Sequence, residues 1–266
     1  MALSATERSI TVSAGLNGTL TSAKGEGPRP HVVMLHGFGG HRDETGNLFK
    51  KLARRLAKQG ISSLRIDFPG CGKSEGEFGD VTVPLYRRAA IAALRYAKSA
   101  PGADPDRVGL LGYSFGGAIA TACLAADAPR ARALVLWAPV GNPAVDMVES
   151  LGAARAAEAE RAGVVAVPWG KGAIRLKRAF FKSLGEVAPL AAIRRYDGNF
   201  LVMAGDQDRL AKYVDEFHAA AENAKRREKR VFAGADHFFG ANERRGGQVE
   251  PLLDATAEFF ASVFKK

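Results

Sequence analysis

A short apolar run, Arg107-Val108-Gly109-Leu110-Leu111, enters Gly112-Tyr113-Ser114-Phe115-Gly116-Gly117 and leaves as Ala118-Ile119-Ala120-Thr121-Ala122-Cys123-Leu124. The pattern reads strand, sharp turn, helix, with Ser114 at the apex. A turn that tight holds its central residue in strained backbone, and side chains beside it would close the approach. Gly112 and Gly116 remove those side chains, and Gly117 lets the new helix lie close to the sheet. A serine so placed projects its hydroxyl from a helix N-terminus, where backbone N–H groups favour developing negative charge. The pentapeptide alone also fits a glycine-rich turn with a surface serine. The rest of the chain decides between the two.

The remaining apolar runs are short and alternate with helical spacing. Strand-like runs fall at 31–35, 61–66, 107–111, 133–138, 200–204 and 230–233; helical patterns fall at 45–59, 84–99, 210–224 and 249–264. Such alternation predicts an α/β fold with a mostly parallel central sheet and helices on both faces. A weakly alternating stretch over 9–21 contains Asn17-Gly18, a hairpin-turn signal. The alternation stops at Pro139 and resumes only near 200. Between these points lie an Ala-rich helical stretch over 151–162, the run Val164-Val165-Ala166-Val167-Pro168-Trp169 and the turn Gly170-Lys171-Gly172. Residues 139–196 are therefore expected to form an inserted cap, with a small hairpin across that turn, and residues 1–138 and 197–266 the core.

Two cysteines, Cys71 and Cys123, are too few for a metal site or a disulfide framework and suit a reducing, cytoplasmic setting. The first residues lack the apolar core of a signal peptide, and no stretch reaches the length of a membrane-spanning helix. Net charge is +10, which raises nucleic acid or an anionic surface as partners. The densest basic run, Lys225-Arg226-Arg227-Glu228-Lys229-Arg230, falls where a helix is expected to end, so it reads as a solvated helix terminus. No nucleic acid, membrane, metal or cofactor is expected; a small-molecule substrate is, with a homodimer left open.

A serine hydroxyl needs a base within hydrogen-bond reach, itself oriented by a third group. Of five histidines, His237 follows a strand-like run in Gly234-Ala235-Asp236-His237-Phe238-Phe239, the strand end where open α/β sheets place functional groups. His31 begins a strand, His41 lies in a polar loop, His218 sits inside a helical pattern, and His36 is expected to shape the loop around it. The orienting acid comes from Gly205-Asp206-Gln207-Asp208, where Asp206 and Asp208 both qualify. Serine, then aspartate, then histidine is a recognised order for such a set.

Across essentially its whole length the chain resembles the α/β-hydrolase family. His36-Gly37-Phe38-Gly39-Gly40 looks like that family's oxyanion loop, and Asp67-Phe68-Pro69-Gly70-Cys71-Gly72-Lys73-Ser74 is similar to its D-x-x-G-x-G-x-S loop. The family's G-x-x-D turn implies Asp208 as the acid. It also implies the backbone N–H groups of Phe38 and Phe115 as oxyanion donors. Within the family, these motifs and Gly234-Ala235-Asp236-His237 look most similar to bacterial cinnamoyl/feruloyl esterases with a small cap. Those enzymes commonly carry glutamine where Phe115 stands, so the acyl side here is expected to be more apolar. The implied activity is serine ester hydrolysis of small or aromatic acyl esters, with Ser114, Asp208 and His237 catalytic. A thioesterase, a lactone hydrolase, a short-peptide serine peptidase and, more remotely, a non-catalytic ligand receptor are the alternatives on one fold. Trp169, Phe180 and Tyr113 are the candidate substrate-binding aromatics. The basic residues Lys171, Arg175, Lys177, Arg178 and Lys182 read as a solvated face, and Cys71 as packing.

Overall fold

The computed structural model describes residues 5–125, 127–170, 172–242 and 247–265. Eight strands form one sheet in the order β1-β2-β4-β3-β5-β6-β9-β10. They are β1 (Thr6–Ser13), β2 (Leu16–Ser22), β3 (Arg29–Leu35), β4 (Ser62–Ile66), β5 (Ala103–Tyr113), β6 (Ala133–Trp137), β9 (Asn199–Gly205) and β10 (Arg226–Phe232). β1 and β2 pair antiparallel, β2 joins β4 antiparallel, and every pairing from β4 to β10 is parallel. The central strands β6 and β9 are apolar runs buried nearly end to end, as a parallel sheet covered on both faces requires. Helices α1 (Leu48–Lys58) and α9 (Val249–Phe264) pack on each other, while α2 (Val83–Ser99) packs on α3 (Phe115–Ala122).

Residues 139–196 lie between β6 and β9. They comprise α4 (Pro143–Leu151), α5 (Ala153–Ala162), the antiparallel hairpin of β7 (Val164–Trp169) and β8 (Gly172–Lys177), α6 (Arg178–Ser183) and α7 (Pro189–Ile193). The helical stretch expected at 151–162 is broken at Gly152, whose φ of 98° ends α4 and starts α5. The hairpin closes across the expected turn, of which Lys171 lies outside the described residues. β8 crosses the core loop at Gly79 so closely that a Cβ there would sit 2.7 Å from the Arg175 carbonyl oxygen. α8 (Lys212–Ala220) follows β9 and packs against α7, tying the segment back to the core.

Two expectations need correction. The first hairpin turns at Ala14-Gly15, where Gly15 supplies φ of 71°, and Asn17-Gly18 lies inside β2. Gly18 is glycine because the Arg65 carbonyl oxygen of β4 comes within 2.9 Å of where its Cβ would be. Asn17 instead donates through its side chain to the Lys73 carbonyl. The basic run at 225–230 is not a helix terminus: from Arg226 on it is strand β10, at the edge of the sheet. Lys229 pairs with Asp215 of α8, and Arg227 donates to the His218 and Ala219 carbonyls at that helix's end. Charges along an edge strand discourage pairing with another chain, which is why an otherwise exposed strand is this polar.

Candidate active site

Ser114 occupies the junction of β5 and α3 with φ 54°, ψ −119°. Its N–H donates to the Trp137 carbonyl at 2.9 Å, and its own carbonyl accepts from Gly117 and Val140. The flanking glycines are obligatory. A Cβ on Gly112 would lie 2.4 Å from the Gly116 carbonyl oxygen, and one on Gly116 would lie 2.2 Å from that of Leu35. The strained turn is thus held by close backbone packing on both sides.

His237 reaches Ser114 from the loop after β10. Its Nε2 stands 3.1 Å from Ser114 Oγ and its Nδ1 2.7 Å from Asp208 Oδ2. Asp208 is buried, and its other oxygen accepts from the Leu210 N–H at 3.0 Å, which fixes the carboxylate. Asp206 is exposed and accepts instead from the Gly234 amide and the Gln207 side chain. The structure therefore brings together Ser114, His237 and Asp208 and leaves Asp206 outside. An imidazole hydrogen-bonded to both a serine and a buried carboxylate can take the serine's proton and be stabilised as imidazolium.

His36 is wholly buried, accepts from the Phe68 N–H through Nε2 at 2.9 Å and donates from Nδ1 to the Gly37 carbonyl at 2.7 Å. It ties the glycine loop to the loop after β4, whose Asp67 receives Arg42 Nε at 2.8 Å. Burial pushes His36 down from 6.5 to about 4, against upward pulls from its Gly37 hydrogen bond and the Asp67 charge. A folded value below the unfolded one favours the neutral form. The corresponding stability is complete above about pH 6.5 and is lost as the pH falls toward 4, by roughly 2–3 kcal/mol at pH 4.5. Urea midpoints of the wild type should fall over this interval more than those of His36→Gln. Equal slopes would show that His36 is not the group responsible.

Phe38 lines a cavity of about 660 Å³ that also exposes Ser114, His237, Tyr113, Met147 and Trp169. Among the described residues, no hydrogen-bond acceptor takes up the Phe38 or the Phe115 amide. Phe115 is the first residue of α3, so its N–H is one of the helix's unpaired amino-terminal donors.

The aromatic candidates divide. Trp169, 40% exposed, lies over the glycine loop: a Cβ on Gly39 would meet its indole at 2.7 Å, and its ring packs edge-on against Phe38. Phe180 does not reach the cavity. It is wholly buried against Phe38, Phe115 and Phe181, because α6 turns it into the core beneath the loop. Tyr113 borders the cavity with its ring under the His237 imidazole, 5.3 Å between centroids, and its hydroxyl donates to the His237 carbonyl at 3.0 Å. It packs beneath the imidazole.

Lys177 pairs with Asp80 and Lys182 with Glu160, and neither borders the cavity. Cys71 is buried beside the Tyr86 hydroxyl at 3.3 Å, and burial pushes its thiol up to about 11, so it is a packed, unreactive group. Among the described residues there is no metal-ligating cluster and no helix long and apolar enough to cross a membrane.

Sequence reasoning missed Glu44 and Arg209, which also border the cavity. Glu44 follows the glycine loop with no motif spacing to mark it. Arg209 follows Asp208 directly and donates to the Asp146 carbonyl and the Ser150 hydroxyl of α4, joining the Asp208 loop to the inserted segment.

The Hydrolase_4 family, described as serine aminopeptidase, S33, matches residues 26–171. Esterase EstD of Thermotoga maritima is 28% identical over 92% of this chain and 62% of its own length. Esterase FrsA of Escherichia coli O157:H7 is 29% identical over 50% of this chain and 31% of its own length. The chain thus spans less than two thirds of these curated relatives. Among solved structures, Est1E from Butyrivibrio proteoclasticus with ferulic acid bound aligns with a TM-score of 0.72 at 23% identity, covering 94% of this chain and 96% of Est1E. The α/β hydrolase GrgF from Penicillium sp. sh18 aligns at 0.75 and 18% identity, covering 99% of this chain and all of that one. With the sheet order, the turn at Ser114 and the family match in hand, the chain belongs to the Hydrolase_4 family and has the α/β-hydrolase fold.

Proposed function

We propose that the protein is a serine carboxylic ester hydrolase working through an acyl-enzyme. The observation that carries this reading is the continuous contact from Ser114 through His237 to Asp208 at the floor of an open cavity. Ser114 Oγ attacks the ester carbonyl while His237 Nε2 takes its proton, and the carbonyl electron pair moves onto oxygen. The Phe38 and Phe115 N–H groups receive that oxyanion, each contributing about 3 kcal/mol to the transition state. The C–O bond to the alcohol then breaks as His237 returns its proton to the leaving oxygen. Water, deprotonated by the same imidazole, releases the acid and restores Ser114.

The substrate class follows from the cavity walls. Phe38, Met147, Leu151 and Trp169 make the inserted segment and the glycine loop an apolar enclosure suited to a small or aromatic acyl group. Residues 139–196 would then act as a cap that selects the substrate. Ferulic acid in Est1E supports an aromatic acyl group, here against Phe38 and Trp169. Two buried thiols suit a reducing, cytoplasmic setting. The family's description as serine aminopeptidase favours short-peptide hydrolysis as a second reading.

The test is hydrolysis of p-nitrophenyl acetate, butyrate and octanoate and of methyl ferulate, beside an aminoacyl p-nitroanilide. Ferulate turnover is the expected result. Aliphatic turnover alone would keep the chemistry and discard the aromatic acyl group, and turnover of the anilide alone would replace the ester reading. Trp169→Ala should lower kcat/KM for methyl ferulate about five- to tenfold and for the acetate less than twofold. Equal losses would make the indole simple packing.

A further inference from the structure

Glu44 is 5% exposed, borders the cavity, and among the described residues has no cationic side chain within ion-pair distance. Its backbone takes φ 59°, ψ 170°, a conformation that side chains other than glycine's scarcely visit. Oε1 accepts from the Gly37 N–H at 2.6 Å and Oε2 from the Thr45 N–H at 3.0 Å. The carboxylate has room there because Gly40 lacks a Cβ, and it sits in ordinary contact distance of Gly37. A Cβ on Gly40 would lie 2.9 Å from Oε1, and one on Gly37 would lie 3.5 Å from Oε1 and 3.4 Å from the Ser114 Cβ. A buried, strained acid held by backbone amides this close to the serine is an expensive feature to keep for packing alone.

We propose that Glu44 is the positioning residue of the oxyanion site, setting the direction of the Phe38 N–H; this rests on the ester-hydrolase reading. The argument runs through the two peptide planes on either side of Gly37. The plane before it is held by Glu44, which grips the Gly37 N–H. The plane after it is held by its carbonyl, which accepts from His36 Nδ1 at 2.7 Å and from the Gly40 N–H at 3.2 Å. A trans peptide points its N–H opposite its carbonyl. With the Gly37 oxygen turned to His36 and Gly40, the Phe38 N–H faces away from both and has no acceptor among the described residues. Gly37 has no side chain to restrict its own φ and ψ, so without Glu44 the first plane swings and carries the second with it.

The test compares Glu44→Gly and Glu44→Gln with the wild type in two reactions. One is steady-state hydrolysis of p-nitrophenyl butyrate. The other is labelling by an alkyl fluorophosphonate, in which the Ser114 Oγ–P bond forms, fluoride leaves and His237 takes the proton. Glycine accepts the backbone conformation of residue 44 without strain, so the melting temperature of Glu44→Gly should be no lower than that of the wild type. Its kcat and its labelling rate should both fall about 30-fold, with KM within twofold, as expected for a misdirected oxyanion donor. Glu44→Gln, whose amide oxygen still accepts the Gly37 N–H, should recover to within about threefold of the wild type in both. Wild-type rates in Glu44→Gly, a loss confined to KM, or a Gln variant as slow as the Gly variant would each overturn the proposal. If the wild type hydrolyses no ester yet labels at Ser114, and Glu44→Gly labels 30-fold more slowly, the substrate reading fails and the positioning role stands.

Discussion

Ser114→Ala is expected to reduce kcat for any ester turned over by the wild type about 10⁶-fold, leaving only the rate that binding and the oxyanion donors supply. The size follows from the geometry. Ser114 Oγ is the atom His237 Nε2 contacts at 3.1 Å, and alanine leaves that imidazole with no proton to accept. Substrate affinity should change little, because the methyl group keeps the turn and the cavity intact. The measurement is single-turnover kinetics with p-nitrophenyl butyrate, together with binding of the product acid. A residual rate within a hundredfold of the wild type would mean that another nucleophile, or water alone, attacks the ester.

Asp208→Asn should lower kcat about 10⁴-fold at neutral pH, since an amide at this position favours the wrong imidazole tautomer and cannot stabilise imidazolium. Asp206→Asn should stay within about threefold of the wild type, because Asp206 contacts the Gly234 amide and the Gln207 side chain and not the base. The pair is informative because the two residues share a turn, so a general disturbance of the loop would slow both. The reverse ranking would reassign the acid.

The fold was legible where apolar character and chain direction coincide. β3, β6 and β9 are buried runs with little else in them, so their strands could be read directly. β10 was legible only at its end, the run 230–233, because an edge strand faces solvent and its first residues carry the charges of a surface, not the periodicity of a core. Asn17-Gly18 misled for a different reason. Its glycine answers a neighbouring carbonyl in β4, a contact between residues far apart in sequence. At the site, Ser114 and His237 announce themselves by the loops that hold them. Phe180 was misplaced because aromatic character does not say whether α6 turns a ring toward the cavity or the core. Glu44 was invisible, since its place depends on the backbone angles of one residue and on the room Gly40 leaves.

Among the described residues, only Glu44, Asn47, Ser114, Ala138 and Phe239 adopt positive φ without being glycine. Four of them stand in the loop of Glu44, at the ends of β5 and β6, and beside His237. At about 1–3 kcal/mol each, such angles withhold a sizeable share of a typical domain's stability. Evolutionary drift therefore has a slope here. A duplicated copy released from selection would shed strain with glycine at Glu44 or Ser114, though not at fully buried Phe239, where glycine would open a cavity, and each such change would take it further from an enzyme. Heat-tolerant, inactive descendants are the thermodynamically easy outcome of this architecture, and an active one persists only while its chemistry is under selection.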